Sequence, residues 1–380
     1  MSLVSLLALS AGLHLYVGMR IVPALPGSVG PSLLSLLLLA SALLMPLGLL
    51  ARRFAKPPAA DRLAWAGLLA MGLFSSLFVA TLLRDGLLLL VWLADLAWPG
   101  TVAAPLETLT AMAVPLLALA ASLVGAVNAR RTAGVVTVDV PIAGLPAALH
   151  GFTLAQISDI HIGPTIKGAY LQHIVDAVNR LQPDLVAVTG DLVDGSVAEL
   201  RGHVAPLADL VSRHGTFFVT GNHEYYSGAL HWVAELRRLG VTVLMNQHVV
   251  LERDGANLVL AGVNDFGAHH FDASHKSDPV AALLGAPPDA AVRVLLAHQP
   301  RSAAAAELAG FDLQLSGHTH GGQFLPWTFL VRLQQPFTAG LHRLGRLWVY
   351  VSRGTGYWGP PKRLGAPSEI TRLRLVQALP

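Results

Sequence analysis

Four long apolar stretches fill the first third of this sequence and constrain its fold more than any other feature. A membrane-spanning helix needs about 20 mostly apolar residues, and each stretch is close to or above that length. Charged residues are nearly absent inside the stretches, which argues against four buried helices of a soluble core. We therefore predict an all-α transmembrane region at 1–131, with spans at 3–19, 31–50, 63–83 and 109–127.

Basic residues in the connecting loops predict the orientation of these spans. The connection at 51–62 carries four basic residues and one acidic residue, so we expect it to face the cytoplasm. With four spans, the chain that follows the last span lies on the same side, which favours a cytoplasmic C-terminal domain. The alternative is a tight turn at 84–86, which would make the short apolar run 87–98 a fifth span and move that domain outside.

Charge and cysteine content limit the chemistry of the second domain, predicted at 132–380. Of the 26 Lys and Arg, eight lie in 1–131, and of the 23 Asp and Glu, four do, so the second domain carries 18 basic and 19 acidic residues. This balance does not indicate a nucleic-acid-binding surface. The sequence contains no cysteine, so disulfides, a thiolate nucleophile and zinc–sulfur sites are excluded. Any metal ion here is bound by nitrogen and oxygen.

After residue 131 the hydrophobic pattern becomes that of an α/β domain, with short apolar runs and amphipathic helical spacing. We predict strands at 135–140, 152–157, 185–188, 216–220, 241–244, 249–251, 258–263, 292–296, 313–315, 346–351 and 370–375. Helices are predicted at 170–181, 200–211, 230–239, 280–284 and 303–308. Strands joined by both kinds of connection indicate one mixed sheet or two packed sheets.

Polar residues that can bind metal follow five of these strands directly. The five blocks are Asp159-Ile160-His161, Gly190-Asp191-Leu192-Val193-Asp194, Gly221-Asn222-His223-Glu224, His298, and Gly317-His318-Thr319-His320-Gly321-Gly322. In open α/β sheets, ligands bind in the loops beyond the carboxyl ends of the strands. One such block is usually a turn or a helix cap, but five in one domain are hard to explain by capping.

The number and type of these side chains suit two metal ions. The candidate ligands are Asp159, His161, Asp191, Asn222, His298, His318 and His320. If one carboxylate bridges both ions and is counted for each, the ligands divide evenly between the two ions. Each ion then keeps positions for water and substrate. Two divalent ions about 3.5–4 Å apart can generate a hydroxide and bind both oxygens of an in-line displacement at phosphorus. A ligand set without sulfur suits Mn, Fe, Zn, Ni or Co.

The order of the blocks resembles that of the calcineurin-like metallophosphoesterases, whose pattern is D-x-H, G-D-x-x-D, G-N-H-[ED], a lone His and G-H-x-H. All five blocks match, from Asp159 to His320. The resemblance implies an α/β domain with mixed β-sheets packed as a β-sandwich and flanked by helices. It also implies a metal-dependent phosphohydrolase, a phosphodiesterase or pyrophosphatase, with a phosphate-ester substrate.

The same resemblance assigns roles to individual residues. It implies Asp159, His161 and His320 for the first ion, Asn222, His298 and His318 for the second, and Asp191 as the bridge. His223 would be a catalytic residue that protonates the leaving oxygen or stabilises the transition state without binding metal. Asp194 and Glu224 would orient ligating histidines, with surface helix caps as the alternative.

The closing segment 352–361, followed by Arg363, resembles a membrane-associated bacterial branch of that family. One kind of enzyme in this branch cleaves the pyrophosphate of UDP-diacylglucosamine, which implies a bacterial inner (cytoplasmic) membrane location and a lipid-linked substrate. Arg353 and Arg363 could bind substrate phosphate or stabilise the loop. Four further residues could contact substrate or pack within loops: Tyr225, Tyr226, His269 and His270.

Two classes of function remain for such a chain. The first is a membrane-anchored dinuclear metal phosphoesterase, and the second is a non-catalytic membrane scaffold that keeps the fold for binding. A scaffold could lose Asp191 or His223 without penalty, yet both are present. A nucleic-acid phosphodiesterase is disfavoured by the near-neutral charge of the domain. The expected partners are the substrate and membrane lipids, and no protein partner is inferred.

Overall fold

In a computed structural model of the protein, the residues described are 3–99 and 105–378. They form two compact units. A helical unit comprises Met1–Asn128 together with Gly359–Lys362, and an α/β unit comprises Ala129–Trp358 together with Arg363–Pro380. The helical unit ends at Asn128, three residues before the predicted domain boundary at 131. It also includes the four residues Gly359–Lys362, which pack among the helices.

Apolar helices make up the helical unit. They are α1 (Leu3–Ile21), α2 (Val29–Leu49), the short α3 (Ala51–Phe54), α4 (Ala59–Ala97) and α5 (Leu106–Arg130). Apart from α3, each is long and apolar enough to cross a membrane. Glycines allow two of them to approach closely, since a Cβ on Gly48 of α2 would lie 2.7 Å from the Cα of Gly67 of α4.

Helix α4 is continuous over 39 residues and passes through 84–86 without a turn. The apolar run that might have formed a fifth span is thus an extension of the third. Its charges are satisfied by neighbouring helices, which explains why they do not break it. Arg84 donates hydrogen bonds to the carbonyl oxygens of Arg20 and Glu107, and Asp85 accepts from Arg20 and from the hydroxyl of Tyr16.

The segment Gly359–Lys362 contacts the apolar helices of the helical unit, and its lysine bonds polar groups among them. Lys362 is buried and donates to the carbonyl oxygen of Gly72 at 2.9 Å and to the hydroxyl of Ser122 at 3.0 Å. It also donates to the hydroxyl of Ser76. A charged group among apolar helices needs such partners, so these contacts fix the position of the segment.

Two six-stranded mixed sheets form the centre of the α/β unit. The strands are β1 (Gly134–Ile142), β2 (Thr153–Ile157), β3 (Leu185–Val188), β4 (Thr216–Phe218), β5 (Thr242–Val243), β6 (Gln247–Arg253), β7 (Ala256–Gly262), β8 (Val292–Leu296), β9 (Leu313–Ser316), β10 (Gly340–Leu344), β11 (Leu347–Val351) and β12 (Glu369–Gln377). The first sheet has the order β1-β12-β2-β3-β4-β5 and the second β10-β11-β9-β8-β7-β6. Strands β2 to β5 are parallel, as are β7, β8, β9 and β11.

The sheets pack face to face over one apolar core. Leu154 and Leu185 from the first sheet meet Leu260 and Val294 from the second, and all four side chains are fully buried. Fully burying such a side chain contributes about 1.5–3 kcal/mol. The predicted fold class, mixed β-sheets in a sandwich preceded by an all-α region, is confirmed.

Helices cover the outer faces of the sandwich. They are α6 (Gly168–Arg180), α7 (Val197–Val204), α8 (Asn222–Ser227), α9 (Ala229–Arg238), α10 (Pro279–Ala282), α11 (Ala303–Ala309) and α12 (Trp327–Val331). Helices α6, α7 and α9 pack on the first sheet, and α10 and α11 on the second. The sequence did not predict α8, α12 or β10, which are too short to show a clear period.

Candidate metal centre

The candidate ligands converge because parallel strands of both sheets end at the same edge of the sandwich. Asp159 and His161 follow β2, Asp191 follows β3, and Asn222 opens α8 after β4. From the second sheet, His298 follows β8, and His318 and His320 follow β9. The structure therefore brings together the five blocks singled out from the sequence.

The backbone at this edge is held in an unusual conformation. Five of the seven candidate ligands have positive φ, namely Asp159 (53°), His161 (56°), Asp191 (50°), His318 (70°) and His320 (52°). Positive φ is uncommon for residues other than glycine, and such strain clusters at functional sites. Gly317 contributes a close approach, because a Cβ there would overlap Ser158 Oγ and Asp159 Oδ2.

The ligand atoms fall into two groups. One contains Asp159, His161 and His320, and the other contains Asp191, His298 and His318. In the first group the Nε2 atoms of His161 and His320 are 3.1 Å apart. In the second, Nδ1 of His318 lies 3.2 Å from Nε2 of His298. Two nitrogens each about 2.1 Å from one ion would be separated by about 3 Å, so both spacings suit shared coordination.

Asp191 belongs to the second group and also faces the first. Its Oδ2 is 3.1 Å from Nε2 of His298 and 3.9 Å from Nε2 of His161. Its Oδ1 accepts a hydrogen bond from the main-chain N–H of His223 at 2.9 Å. This placement is what a bridging carboxylate requires, although bridging itself stays a prediction.

Asn222 provides an independent sign that a cation fits here. Its Oδ1 atom is buried and accepts no hydrogen bond from the part of the chain that the structure describes. A buried amide oxygen without a partner costs about 1–3 kcal/mol, and a metal ion would satisfy it. The Nδ1–H of His298 donates to the carbonyl oxygen of Thr189 at 2.8 Å, so Nε2 is the ring nitrogen that faces Asp191 and His318.

The electrostatics of the site favour added positive charge. Burial raises the pKa of Asp159, and the charge of Asp191 adds to this effect. Burial also opposes protonation of His298, but the charge of Asp191 dominates and holds the His298 pKa well above its usual range. Burial lowers the pKa of His318 to about 3 and that of His320 well below its ordinary value. These two histidines are therefore neutral, as metal ligands must be.

His223 and Asp194 form a pair beside the first group. The Nδ1–H of His223 donates to Oδ1 of Asp194 at 2.5 Å, and Nδ1 of His161 contacts the same oxygen at 3.2 Å. Burial opposes the charged imidazolium, but the hydrogen bond to Asp194 and the charge of Asp191 raise the pKa of His223 to about 9. A bound cation would shift this value downward. Asp194 thus orients His161 and His223 together.

Glu224 holds the main chain around the candidate ligands. Its fully buried carboxylate accepts hydrogen bonds from four main-chain N–H groups, those of Gly221, Asp191, Leu192 and Val193. Burial and the charge of Asp191 raise its pKa to about 7, against the effect of those N–H groups. Its hydrogen bond from Gly221 completes a capping box at the start of α8, so Glu224 is a helix cap in a buried position. Orientation of a ligating histidine by Glu224 stays a prediction. Glu224 also ties the loop after β3 to the start of α8.

Arg363 stabilises the loops around it, which is one of the two roles expected from the sequence, and phosphate binding by Arg363 stays a prediction. It is 1% exposed and donates to the carbonyl oxygens of Gly356, His320 and Ala366. Its Nη2 lies 3.2 Å from Nδ1 of His320, so Arg363 contacts the ring nitrogen of this candidate ligand that does not face His161. Arg353 is half-buried and paired with Glu369 at 2.8 Å, so loop stabilisation accounts for it as well.

The adjacent residues Tyr225 and Tyr226 differ in exposure and in the side chains that they contact. Tyr225 is largely buried and its hydroxyl contacts Nδ1 of His275, away from the candidate ligands. Tyr226 is 65% exposed, and its ring lies edge-to-face with that of His223 at 5.2 Å between centroids. The ring of Trp358 also lies edge-to-face with that of His223, at 5.7 Å between centroids. The sequence analysis named Trp358 only as part of the closing segment. The rings of His269 and His270 contact each other at an angle of 41° in the short 3-10 helix Ala268–His270.

The fold and the site define a class of protein, an α/β sandwich with Asp, Asn and His side chains arranged to bind divalent metal at one edge. Comparison with known proteins gives the family. The pattern of the calcineurin-like phosphoesterases matches residues 152–322. A relative from Aquifex aeolicus, described as an uncharacterized metallophosphoesterase, is 35% identical over 220 residues, 57% of this chain and 82% of the relative. The chain belongs to the calcineurin-like metallophosphoesterase family.

Two further relatives show the same domain. A "transmembrane protein with metallophosphoesterase domain" from Bos taurus is 44% identical over 271 residues, 68% of this chain and 60% of the relative. An uncharacterized metallophosphoesterase from Campylobacter jejuni is 38% identical over 250 residues, 65% of this chain and 64% of the relative. The chain thus spans about three fifths of the length of these relatives.

Family membership confirms part of what the sequence predicted. It implies a metal-dependent phosphoester hydrolase, and the His and Asp groups are able to hold divalent metal. Four apolar helices and a relative named as a transmembrane protein support a membrane protein.

Proposed function

We propose that this protein is a membrane-anchored phosphoesterase that uses two divalent metal ions, Mn, Fe, Zn, Ni or Co, to hydrolyse a phosphodiester, pyrophosphate or phosphomonoester. The observation that supports it best is the pair of Asp and His groups on either side of Asp191. Asp159, His161 and His320 would hold one ion, and Asn222, His298 and His318 the other. When bound, two such ions stabilise charge on the phosphoryl group and lower the pKa of the attacking water.

The residues of the chain complete this chemistry at the leaving group. Asp194 holds Nδ1 of His223, so the proton on Nε2 is available to the oxygen that departs from phosphorus. Against the effect of burial, the hydrogen bond to Asp194 raises the pKa of His223, which favours the protonated imidazolium that a general acid requires. This proposal assigns no phosphate-binding role to Arg353 or Arg363, which bond other groups of the chain.

The direct test is hydrolysis of bis-p-nitrophenyl phosphate by the purified full-length protein supplied with Mn²⁺. Metal content is measured on the same sample. Turnover that depends on the metal supports the proposal. Protein with confirmed metal that turns over neither phosphodiesters, pyrophosphates nor monoesters would instead be the membrane scaffold considered above.

Replacing His223 by alanine is expected to lower turnover by about 10²–10⁴ for substrates with a poorly departing alkoxide, because protonation of that oxygen is lost. The loss is expected to be much smaller for p-nitrophenyl esters, whose leaving group departs without protonation. Metal content is expected to stay at the wild-type level. Exposed His231 on α9 gives the matched control, His231→Ala. Equal losses on both kinds of substrate would contradict the role as general acid.

We further propose that the substrate is lipid-linked, since exposed aromatic rings flank the leaving-group side of the site. Tyr226 and Trp358 are 65% and 53% exposed and both lie edge-to-face with His223. Replacing both by serine is expected to raise KM for an acylated pyrophosphate at least about tenfold, because each ring buries about 150–250 Å² of contact surface. The KM for bis-p-nitrophenyl phosphate should change little. If both substrates lose affinity equally, the rings do not select an acyl group.

The α/β unit is proposed to face the cytoplasm of an inner membrane. Basic residues between α2 and α4 support this side, and four spans return the chain to it. Because the native chain has no cysteine, a single Val211→Cys on the exposed surface can be labelled selectively. In sealed inside-out vesicles a membrane-impermeant maleimide is expected to label it without detergent. Labelling that requires detergent would place the unit on the opposite side.

A further inference from the structure

An exposed apolar surface in the α/β unit follows the candidate ligands in sequence. It comprises Leu325, Trp327, Phe329, Leu330 and Leu333, and we name it the 325–333 surface. The exposed fraction of these side chains runs from 40% at Trp327 to 82% at Leu333. Single exposed apolar residues are normal on soluble proteins, but a cluster of five large ones indicates a binding partner.

The segment that carries this surface is anchored at both ends. At its start, the main-chain N–H of Leu325 donates to the carbonyl oxygen of Leu364 at 3.1 Å. At its end, Nε of Arg301 donates to the carbonyl oxygen of Gln334 at 2.7 Å. Between these anchors, helix α12 points Trp327, Phe329 and Leu330 outward. The exposure therefore belongs to a folded element.

The segment that carries the 325–333 surface has a basic residue and no acidic one. Residues 313–368 contain no Asp or Glu, whereas they contain six basic residues. One of these, the exposed Arg332, lies within the surface itself. An apolar face of Trp, Phe and Leu with a basic residue beside it is the composition of helices that lie in a membrane interface. Anionic headgroups attract such basic residues, each by about 1 kcal/mol.

We propose that the 325–333 surface docks into the interface of a lipid bilayer that contains anionic lipid. A bilayer is favoured as the occupant because this chain already carries four helices able to enter one. The absence of acidic residues over 313–368 complements an anionic surface. Docking does not require hydrolysis, so this inference stands apart from the proposed phosphoesterase activity.

Docking at this surface would place the mouth of the site at the headgroups. The side-chain amide of Gln323, two residues before the surface, accepts a hydrogen bond from the main-chain N–H of Trp358 at 2.8 Å and donates one to its carbonyl oxygen at 2.9 Å. The ring of Trp358 in turn lies against His223. A phosphate group at the membrane surface could then reach the site without leaving the bilayer.

The test measures how deep the surface lies in the bilayer. Phe329→Cys and Leu333→Cys are made one at a time in the full-length protein, which has no native cysteine, and each is labelled with a nitroxide. The protein is reconstituted in vesicles of phosphatidylethanolamine and phosphatidylglycerol. Collisions of the nitroxide with oxygen, which concentrates in lipid, and with a water-soluble nickel chelate give its depth. We expect both labels to lie roughly 5–10 Å inside the interface.

Two reference positions calibrate the result. Leu308→Cys on α11 is 84% exposed in the same unit and should behave as a label in water, and Leu39→Cys in the middle of α2 should behave as a label in lipid. Labels at 329 and 333 that collide with nickel as freely as the label at 308 would overturn the proposal. Labels shielded from both reagents would overturn it too, because they would indicate a protein partner. The same depth in phosphatidylcholine alone would overturn the preference for anionic lipid.

Discussion

Replacing Asp191 by asparagine is expected to lower phosphoester hydrolysis about a thousandfold, because a loss of roughly 4 kcal/mol of metal-derived stabilisation corresponds to that factor. Asp191 is the carboxylate between the two ligand groups, so its charge serves both proposed ions. Asparagine is the sharpest replacement. It keeps the size of the side chain and tolerates the positive φ of 50° at this position, whereas alanine would add backbone strain.

Turnover and bound metal are measured together on the Asp191→Asn protein. Metal content is expected to fall along with activity, since the site loses a carboxylate whose negative charge would attract both ions. Asp289→Asn, at an exposed position of the same unit, controls for the loss of one charge. An Asp191→Asn protein with full metal content and turnover within about tenfold of wild type would exclude the bridging role, because about 1.4 kcal/mol is all that such a change represents.

Much of the fold was predictable because its signals are local. Buried strands such as 185–188 and 292–296 are short, mostly apolar runs with a polar residue at or soon after their end, and the structure has them with those bounds. Helix α6 has apolar residues at helical spacing and was predicted within two residues at its start. Helix α8 was missed, because its six residues Asn222–Ser227 are polar or aromatic and show no apolar period.

The candidate site was predictable to a different degree. The residues at the strand ends were identified because their types and order form a pattern along the chain. The sequence left Arg363 open between phosphate binding and loop stabilisation, since its contacts with the carbonyl oxygens of Gly356, His320 and Ala366 form only in the folded chain. The sequence also did not show that Tyr226, rather than Tyr225, contacts His223, because successive residues in a short helix point in different directions.

Replacing Glu224 by alanine is expected to lower the stability of the α/β unit by about 4 kcal/mol or more, since each buried N–H group left without an acceptor costs about 1–3 kcal/mol. Four such groups depend on this carboxylate, those of Gly221, Asp191, Leu192 and Val193. The corresponding fall in Tm is about 10 °C for a domain of this size. Activity should fall with it, because the same N–H groups hold the loop that carries Asp191.

Glu224→Gln separates the hydrogen bonds from the mere presence of a side chain. The remaining amide oxygen can still accept from two N–H groups, whereas the NH₂ group faces the other two, so we expect a fall in Tm smaller than that of Glu224→Ala but well above zero. Glu252→Ala, at an exposed position on the edge strand β6, should change stability by no more than about 0.5 kcal/mol. Thermal unfolding of the three proteins in one detergent gives the order. If Glu224→Ala unfolds at the same temperature as Glu252→Ala, the carboxylate does not support the loop, and the placement of Asp191 must depend on the strand ends alone.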